Sequence, residues 1–279
     1  MPYNDFSSRL GQEIGKLLEY AFRDLILKFT NDYNNKTEET SEQINCFNDV
    51  KMEASIEGTR DIDWVICNNK YQPLIIIEVK WLKDGRHLYD KGGWILSMQR
   101  LMPIYPSIRK CIAVLLGYWT DKVKKDIENS RRIKIFHIFE KKDPKTENGI
   151  PDQTNLYVYQ LIRNKSNGLV NIEINKRRNS IINPEMTYKN FINFKNNNKK
   201  GYCEIIEALK EDMRNKINPF IEDILKQNPK TFSPEIYVNC NTGNYFLVDA
   251  NIFNKNMLKD IENKSLEIIK NAKNINYSR

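Results

Sequence analysis

The chain has 279 residues, 40% of them hydrophobic, and a formal net charge of +8; that is enough for one large domain or two small ones. No stretch approaches the roughly 18–20 uncharged apolar residues of a membrane span. The opening MPYNDFSSRLGQEIG lacks a basic region followed by an apolar one, so no secretory signal is expected.

Cys46, Cys67, Cys111, Cys203 and Cys240 are odd in number, scattered and never in a CxxC pair. That argues against a disulfide framework or a zinc site and fits a reducing cytoplasm. His87 and His137 are the only histidines, which sets aside histidine-rich metal sites and Ser-His-Asp hydrolysis. The excess of Lys and Arg points to a polyanionic partner, most often nucleic acid. AT-biased coding, suggested by the abundance of Asn, Lys and Ile, would produce the same excess.

Leu10, Ile14, Leu17, Leu18, Ala21 and Leu25 fall on one stripe at the 3.6-residue period, which predicts a helix over 7–29 capped by Ser7 or Ser8. NDYNNKTEETSEQ reads as a polar loop and 45–56 as a weakly marked strand. Residues 61–67 and 74–81, rich in Ile, Val and Trp, are the clearest strands. KDGRHLYDKGG reads as a loop. A helix over 94–106 follows, with Trp94, Met98, Leu101, Met102 and Tyr105 on one side, and Pro103 bends or ends it. KCIAVLLGYW (110–119) is a nearly continuous apolar run, the pattern of a strand covered on both faces. TDKVKKDIENS is a short charged helix capped by Thr120 or Asp121, and 131–140 is another strand. This order predicts an α/β core over 1–142: a mixed central sheet flanked by helices.

The remainder, 143–279, reads as an α+β region. NLYVYQLIR (155–163) and LVNIEINKR (169–177) suggest a strand pair, and KNFINFKNNNKKG (189–201) an exposed basic segment. A helix is expected over 202–227, interrupted by Pro219. A hairpin turning at Thr242-Gly243 follows, then a final helix over 252–273.

The stretch TRDIDWVICNNKYQPLIIIEVKWLKD (59–84) sets Asp61, Asp63, Glu78 and Lys80 among apolar residues. Side chains alternate along a strand, so Glu78 and Lys80 share a face, as do Asp61 and Asp63. A loop centred on Lys70 and Tyr71 would set Asp63 opposite Glu78 and Asp61 opposite Lys80. Directly opposed Cβ atoms lie roughly 4.5–5.5 Å apart, and two carboxylates at that spacing repel unless a cation sits between them. A hard ion such as Mg²⁺ suits the place, because it takes oxygen ligands and needs only one or two carboxylates from the protein. Lys80 would then sit beside a metal-bound water, where an ammonium stabilises hydroxide or developing phosphate charge. The competing reading is a surface hairpin whose charges meet solvent.

Asp63 with Glu78-Val79-Lys80, inside DIDWVI and LIIIEVK, resembles the PD-(D/E)xK nuclease superfamily, with its restriction-endonuclease-like fold. The element order over about 7–140 is similar too: a leading helix, a three-stranded meander, then helix, strand, helix and strand. Ile62 stands where the family name has proline, a position that varies among members. The resemblance implies that Asp63 and Glu78 bind Mg²⁺ (or Mn²⁺ in its place), with the Val79 carbonyl a further ligand, and that Lys80 positions the attacking water. It also implies a leading-helix glutamate, for which Glu13 is the match because Glu19 points to the far side. Gln99 and Tyr105 are similar to a helix pair of some relatives, at a different spacing. Asp61 either pairs with Lys80 or Arg60 or exchanges roles with Asp63.

Lys83, Arg86 and Lys91 follow the site and could meet DNA phosphates. Further basic groups lie at Lys122, Lys124, Lys125, Arg131, Arg132 and Lys134, and in NKRRN at 175–179. Tyr89, Trp94, Tyr118 and Trp119 are expected in the core, as is His137. The expectation is a cytoplasmic, Mg²⁺-dependent endonuclease acting on double-stranded DNA, most simply a dimeric type II restriction enzyme. A structure-specific repair or Holliday-junction nuclease and a catalytically silent DNA-binding module are the rivals.

Overall fold

In the computed structural model of the chain, residues 5–37, 43–55, 58–82, 85–139, 153–175, 180–227, 235–239 and 244–248 are described. Helix α1 (Phe6–Lys36) buries the expected stripe and extends it through Phe22, Ile26 and Phe29. Its cap is Asp5, whose carboxylate accepts the Ser7 N–H, rather than either serine. The helix also continues through NDYNNK, which polarity alone marked as loop. There the Asn34 amide bonds both the C=O and the N–H of Ile44, each at 2.8 Å, tying the helix end to the first strand.

Strands β1 (Ile44–Ser55), β2 (Gly58–Asn68), β3 (Pro73–Leu82), β4 (Lys110–Gly117) and β5 (Ile133–His137) form one five-stranded sheet in sequence order. The first three are antiparallel, and β3, β4 and β5 are parallel. Asn68 builds the turn between β2 and β3: its side-chain oxygen accepts from the N–H groups of Lys70 and Gln72, and Tyr71 adopts a positive φ.

Parallel neighbours need crossovers. The first is α2 (Leu88–Ser97), a 3₁₀ turn at Met98–Arg100 and α3 (Leu101–Ile104). It begins six residues before Trp94, inside the glycine-containing stretch read as loop. Gly92 lets α2 approach closely there: a Cβ would lie 3.0 Å from the Val123 side chain on α4 (Asp121–Glu128). That helix is capped by Thr120 through the Val123 N–H. Helix α1 covers one face of the sheet and α2–α4 the other, giving two apolar clusters.

The second half departs from its sequence reading. Residues 155–163 belong to a helix, α5 (Gln153–Lys165), not a strand. Val158, Tyr159 and Ile162 bury one of its faces at helical spacing. Among the described residues, only β6 (Ile174–Asn175) and β7 (Ser180–Ile181) pair nearby. The segment expected to be exposed is largely α6 (Pro184–Asn197), with Thr187, Phe191 and Phe194 buried. Helix α7 (Lys199–Leu225) runs unbroken past Pro219, burying Ile205, Leu209, Met213, Ile217, Ile221 and Leu225 at every fourth position. Pro219 is exposed, as is Asn215 one turn before it, so water can serve the carbonyl that the missing N–H leaves free. The last carbonyls of α7, at Ile224 and Leu225, accept from Arg109.

Helices α5, α6 and α7 join the apolar cluster of α1, on the same face of the sheet. Strands β8 (Glu235–Asn239) and β9 (Asn244–Val248) form the expected hairpin; its turn and the helix expected over 252–273 lie outside the described residues. No helix among the described residues is long and apolar enough to cross a membrane.

Candidate active site at the parting of two strands

Strands β2 and β3 pair as Trp64↔Ile77, Val65↔Ile76 and Ile66↔Ile75, the register expected, and slip at Cys67↔Pro73 next to the turn. Beyond Trp64 the ladder between them ends. Trp64 and Ile66 face the α1 cluster, yet Ile62, at the same parity, lies in the α2 cluster. The alternation therefore breaks at Asp63. Strand β1 breaks alongside it: Ile44 and Cys46 face α1, Val50 and Met52 the opposite side, and Asp49 between them has φ 53°. The freed Asp63 carboxylate turns toward β3, where its Oδ2 accepts the Val79 N–H at 2.7 Å.

Three charged side chains meet at this opening. Lys80 Nζ lies 2.8 Å from Asp63 Oδ2 and 2.5 Å from Glu78 Oε2. The first contact is a directed hydrogen bond, whereas Oε2 has no well-aligned donor. Asp63 is one-third exposed at its side chain and Glu78 not at all. Burial raises the Glu78 pKa, Asp63 adds to the rise, and Lys80 and Arg60 only partly counter it. Burial works against the charge on Lys80, but Asp63 and Glu78 outweigh it and raise its pKa, so it remains an ammonium.

Arg60 was not singled out from the sequence, yet it is 4% exposed and stands behind Glu78. Its Nη2 approaches Glu78 Oε1 at 3.4 Å and donates to the Trp94 carbonyl at 2.5 Å. Its Nη1 bonds Ser97 Oγ, and its guanidinium stacks 4.5 Å from the Trp94 ring centroid. Trp94 Nε1 also reaches Glu78 Oε1, at 3.3 Å. No sequence pattern marks an arginine that becomes buried only when α2 closes over it.

Beside the cluster, a cleft of about 640 Å³ runs between α1 and the end of β3; Gln12, Gly15, Lys16, Glu19, Lys80 and Lys91 are among its walls. Glu19, placed on the far side by its spacing, lines this cleft with Lys80. Burial raises its pKa, and the charge of Asp63 raises it further. Glu13 is instead held by Lys16 and Lys195, each at 2.7 Å.

Asp61 is exposed and opposes Lys51 of β1, not Lys80. Gln99 is half-buried on the 3₁₀ turn, and Tyr105 is fully buried in the α2 cluster; Trp94 and Ser97 are the residues through which that helical segment reaches the site. Lys91 is exposed on the cleft. Lys83, the Arg86 side chain and residues 176–179 lie outside the described residues. Lys124 and Lys134 are engaged by Asp121 and Glu128. Trp119 and His137 are buried as expected, but Tyr89 is 68% and Trp94 45% exposed.

Among the described residues no group of three or more His, Cys, Asp or Glu side chains forms a ready metal cage. The donor set nevertheless fits a hard divalent ion. Two carboxylates share one opening, and the ammonium of Lys80 occupies the position where such an ion would balance them. Mg²⁺ ordinarily completes its shell with water.

No protein-family model and no curated protein matches the chain. A solved structure of a protein of unknown function, AF1548, is similar at 9% identity and a TM-score of 0.30, covering 73% of this chain and 99% of that one. A likeness that weak carries no argument about the site.

Proposed function

We propose that this protein is a divalent-metal-dependent deoxyribonuclease of the PD-(D/E)xK kind, on a restriction-endonuclease-like core. The observation that supports it is the convergence of Asp63 and Glu78 on the Lys80 ammonium, at the point where β2 leaves β3. Asp63, Glu78 and the Val79 carbonyl would hold Mg²⁺ or Mn²⁺. The ion, when bound, would supply the charge that polarises the scissile phosphate and lowers the pKa of the attacking water. Lys80, kept protonated by its two carboxylates, donates rather than accepts: it orients the water and offsets charge on the phosphoryl oxygens. Glu19, with its raised pKa and its place on the same cleft, is suited to take the proton the water loses. The water oxygen joins phosphorus, the bond to the 3′ oxygen breaks, and a 5′-phosphate remains. Lys16 and Lys91 line the approach and suit backbone phosphates. Cutting both strands of a duplex needs two such sites, which a symmetric homodimer provides. A sequence-specific type II restriction or phage-defence role is the reading we favour.

One observation favours a second reading. Glu78 has no exposed surface and is bracketed by Arg60, Trp94 and Lys80, as a catalytically silent DNA-binding module would allow. Incubation of the protein with supercoiled plasmid, branched DNA and Mg²⁺ separates the possibilities. Discrete plasmid fragments are expected. Cutting confined to branched DNA would indicate a structure-specific nuclease, and retained binding without cutting in Mg²⁺ or Mn²⁺ would indicate the silent module.

A further inference from the structure

Glu78 presents two chemically different oxygens. Oε1 is approached by fixed donors, Arg60 Nη2 and Trp94 Nε1. Among the described residues, Oε2 faces Lys80 Nζ at 2.5 Å, outside a well-aligned hydrogen bond. The guanidinium that makes this distinction is itself held at four points: Glu78, the Trp94 carbonyl, Ser97 and the face of the Trp94 indole. A cation on a fully buried Arg costs desolvation. Among the described residues, each of these contacts lies on Glu78 or on α2 above it.

We propose that Arg60 is the positioning residue of the metal site: it locks Oε1 of Glu78 and so presents Oε2 alone to a divalent cation, making Glu78 a one-oxygen ligand. This rests on the metal-site reading above. The planar fork is what allows Arg60 to span Glu78, a backbone carbonyl and a hydroxyl at once; a lysine carries the charge but cannot reproduce that geometry. Trp94 completes the arrangement, since the ring that caps Arg60 also donates to the same oxygen. Arg60 therefore couples the seating of α2 to the orientation of the carboxylate.

The sign of one measurement separates positioning from simple charge. On Coulomb grounds alone, removing a cation beside a carboxylate tightens binding of a divalent ion. If Arg60 orients Glu78, its removal loosens binding. Mn²⁺ titration of the full chain, with free Mn²⁺ followed by electron paramagnetic resonance, reads this without any catalytic step. Arg60→Lys, which keeps the charge, and Arg60→Met, which keeps the stem, are both expected to weaken Mn²⁺ binding by about 10- to 100-fold, the usual cost of losing an outer-shell partner. Should either fail to fold, Ser97→Ala loosens one tether from a half-exposed helical position. It is expected to weaken binding by about 2- to 10-fold, the worth of one hydrogen bond. Wild-type affinity in Arg60→Lys or in Ser97→Ala, or tighter binding in Arg60→Met, overturns the positioning role while leaving the metal site standing. A wild-type protein that takes up no Mn²⁺ overturns the metal site itself and the inference with it.

Discussion

Among the described residues, two glutamates are buried, each beside lysine, and their environments drive them in opposite directions. Burial would raise Glu13, but hydrogen bonds and charge from Lys16 and Lys195 more than reverse it, and its pKa falls. Glu78 must share Lys80 with Asp63; burial and that second carboxylate dominate, and its pKa rises. The Glu13 cluster is closed, with two ammonium groups answering one carboxylate and tying α1 to α6. At the Glu78 cluster Lys80 and Arg60 face Asp63 and Glu78, but burial outweighs their help to Glu78, and Glu19 adds a further carboxylate along the cleft wall. A carboxylate whose ionisation is opposed by burial gains from a further cation, whereas a carboxylate already answered by two ammonium groups only holds helices together.

Substitutions can set the two regions apart. The largest effect is expected at the Glu78 cluster. Lys80→Ala and Glu78→Ala should each lower plasmid cutting by at least about 10²–10³-fold, the scale of losing a charge-stabilising group, with DNA binding by gel shift largely intact. Glu13→Gln should leave cutting by the folded protein unchanged; an equal loss there would erase the distinction. Next comes the choice of helix carboxylate. Glu19→Gln is expected to slow cutting by roughly 10- to 100-fold, the lower range for a positioned proton acceptor. Wild-type rates would remove Glu19 from the site.

The smallest effects are on stability, and their signs are opposed. Glu13 has a lowered folded pKa, so its contribution is present above the ordinary carboxylate value of 4.5 and is lost as pH falls through the folded value. Glu13→Gln should therefore lower the melting temperature by a few degrees at neutral pH, with the deficit closing in acid. Glu78 has a raised folded pKa, so ionising it opposes folding once pH exceeds that value. Without metal, Glu78→Gln should melt higher than wild type at neutral pH, and the gain should shrink as pH falls toward 4.5. Added Mg²⁺ should stabilise the wild type and reverse the order.

Much of the site's geometry was legible because it rests on the period-2 alternation of a hairpin. The pairing of Trp64 with Ile77 follows from the position of the turn, and that pairing brings Asp63 next to the strand carrying Glu78. The departure of β2 from β3 was not legible, since it depends on matching breaks at Asp49 and Asp63 in two strands at once. It is also why Asp61 does not oppose Lys80. The place of Glu19 on the cleft was not legible because a long helix packed by the sheet on one side and by α6 and α7 on the other has no single far side. Arg60 was missed because its burial is a property of α2, whose start was hidden by the glycines at 92 and 93. In the second half, aromatic and β-branched residues at 157–162 suggested strand, but Val158 and Ile162 meet the core one helical turn apart. The Phe191 and Phe194 pair was lost among Asn and Lys, although its three-residue spacing suits a helix face.

The most direct test of the metal site is a crystal grown with Mn²⁺ and measured at the manganese absorption edge. The expected result is an anomalous peak about 2.1 Å from oxygens of both Asp63 and Glu78, with Lys80 Nζ displaced from between them. A well-ordered Lys80 still bridging the two carboxylates at saturating Mn²⁺, with no peak at either, would contradict it.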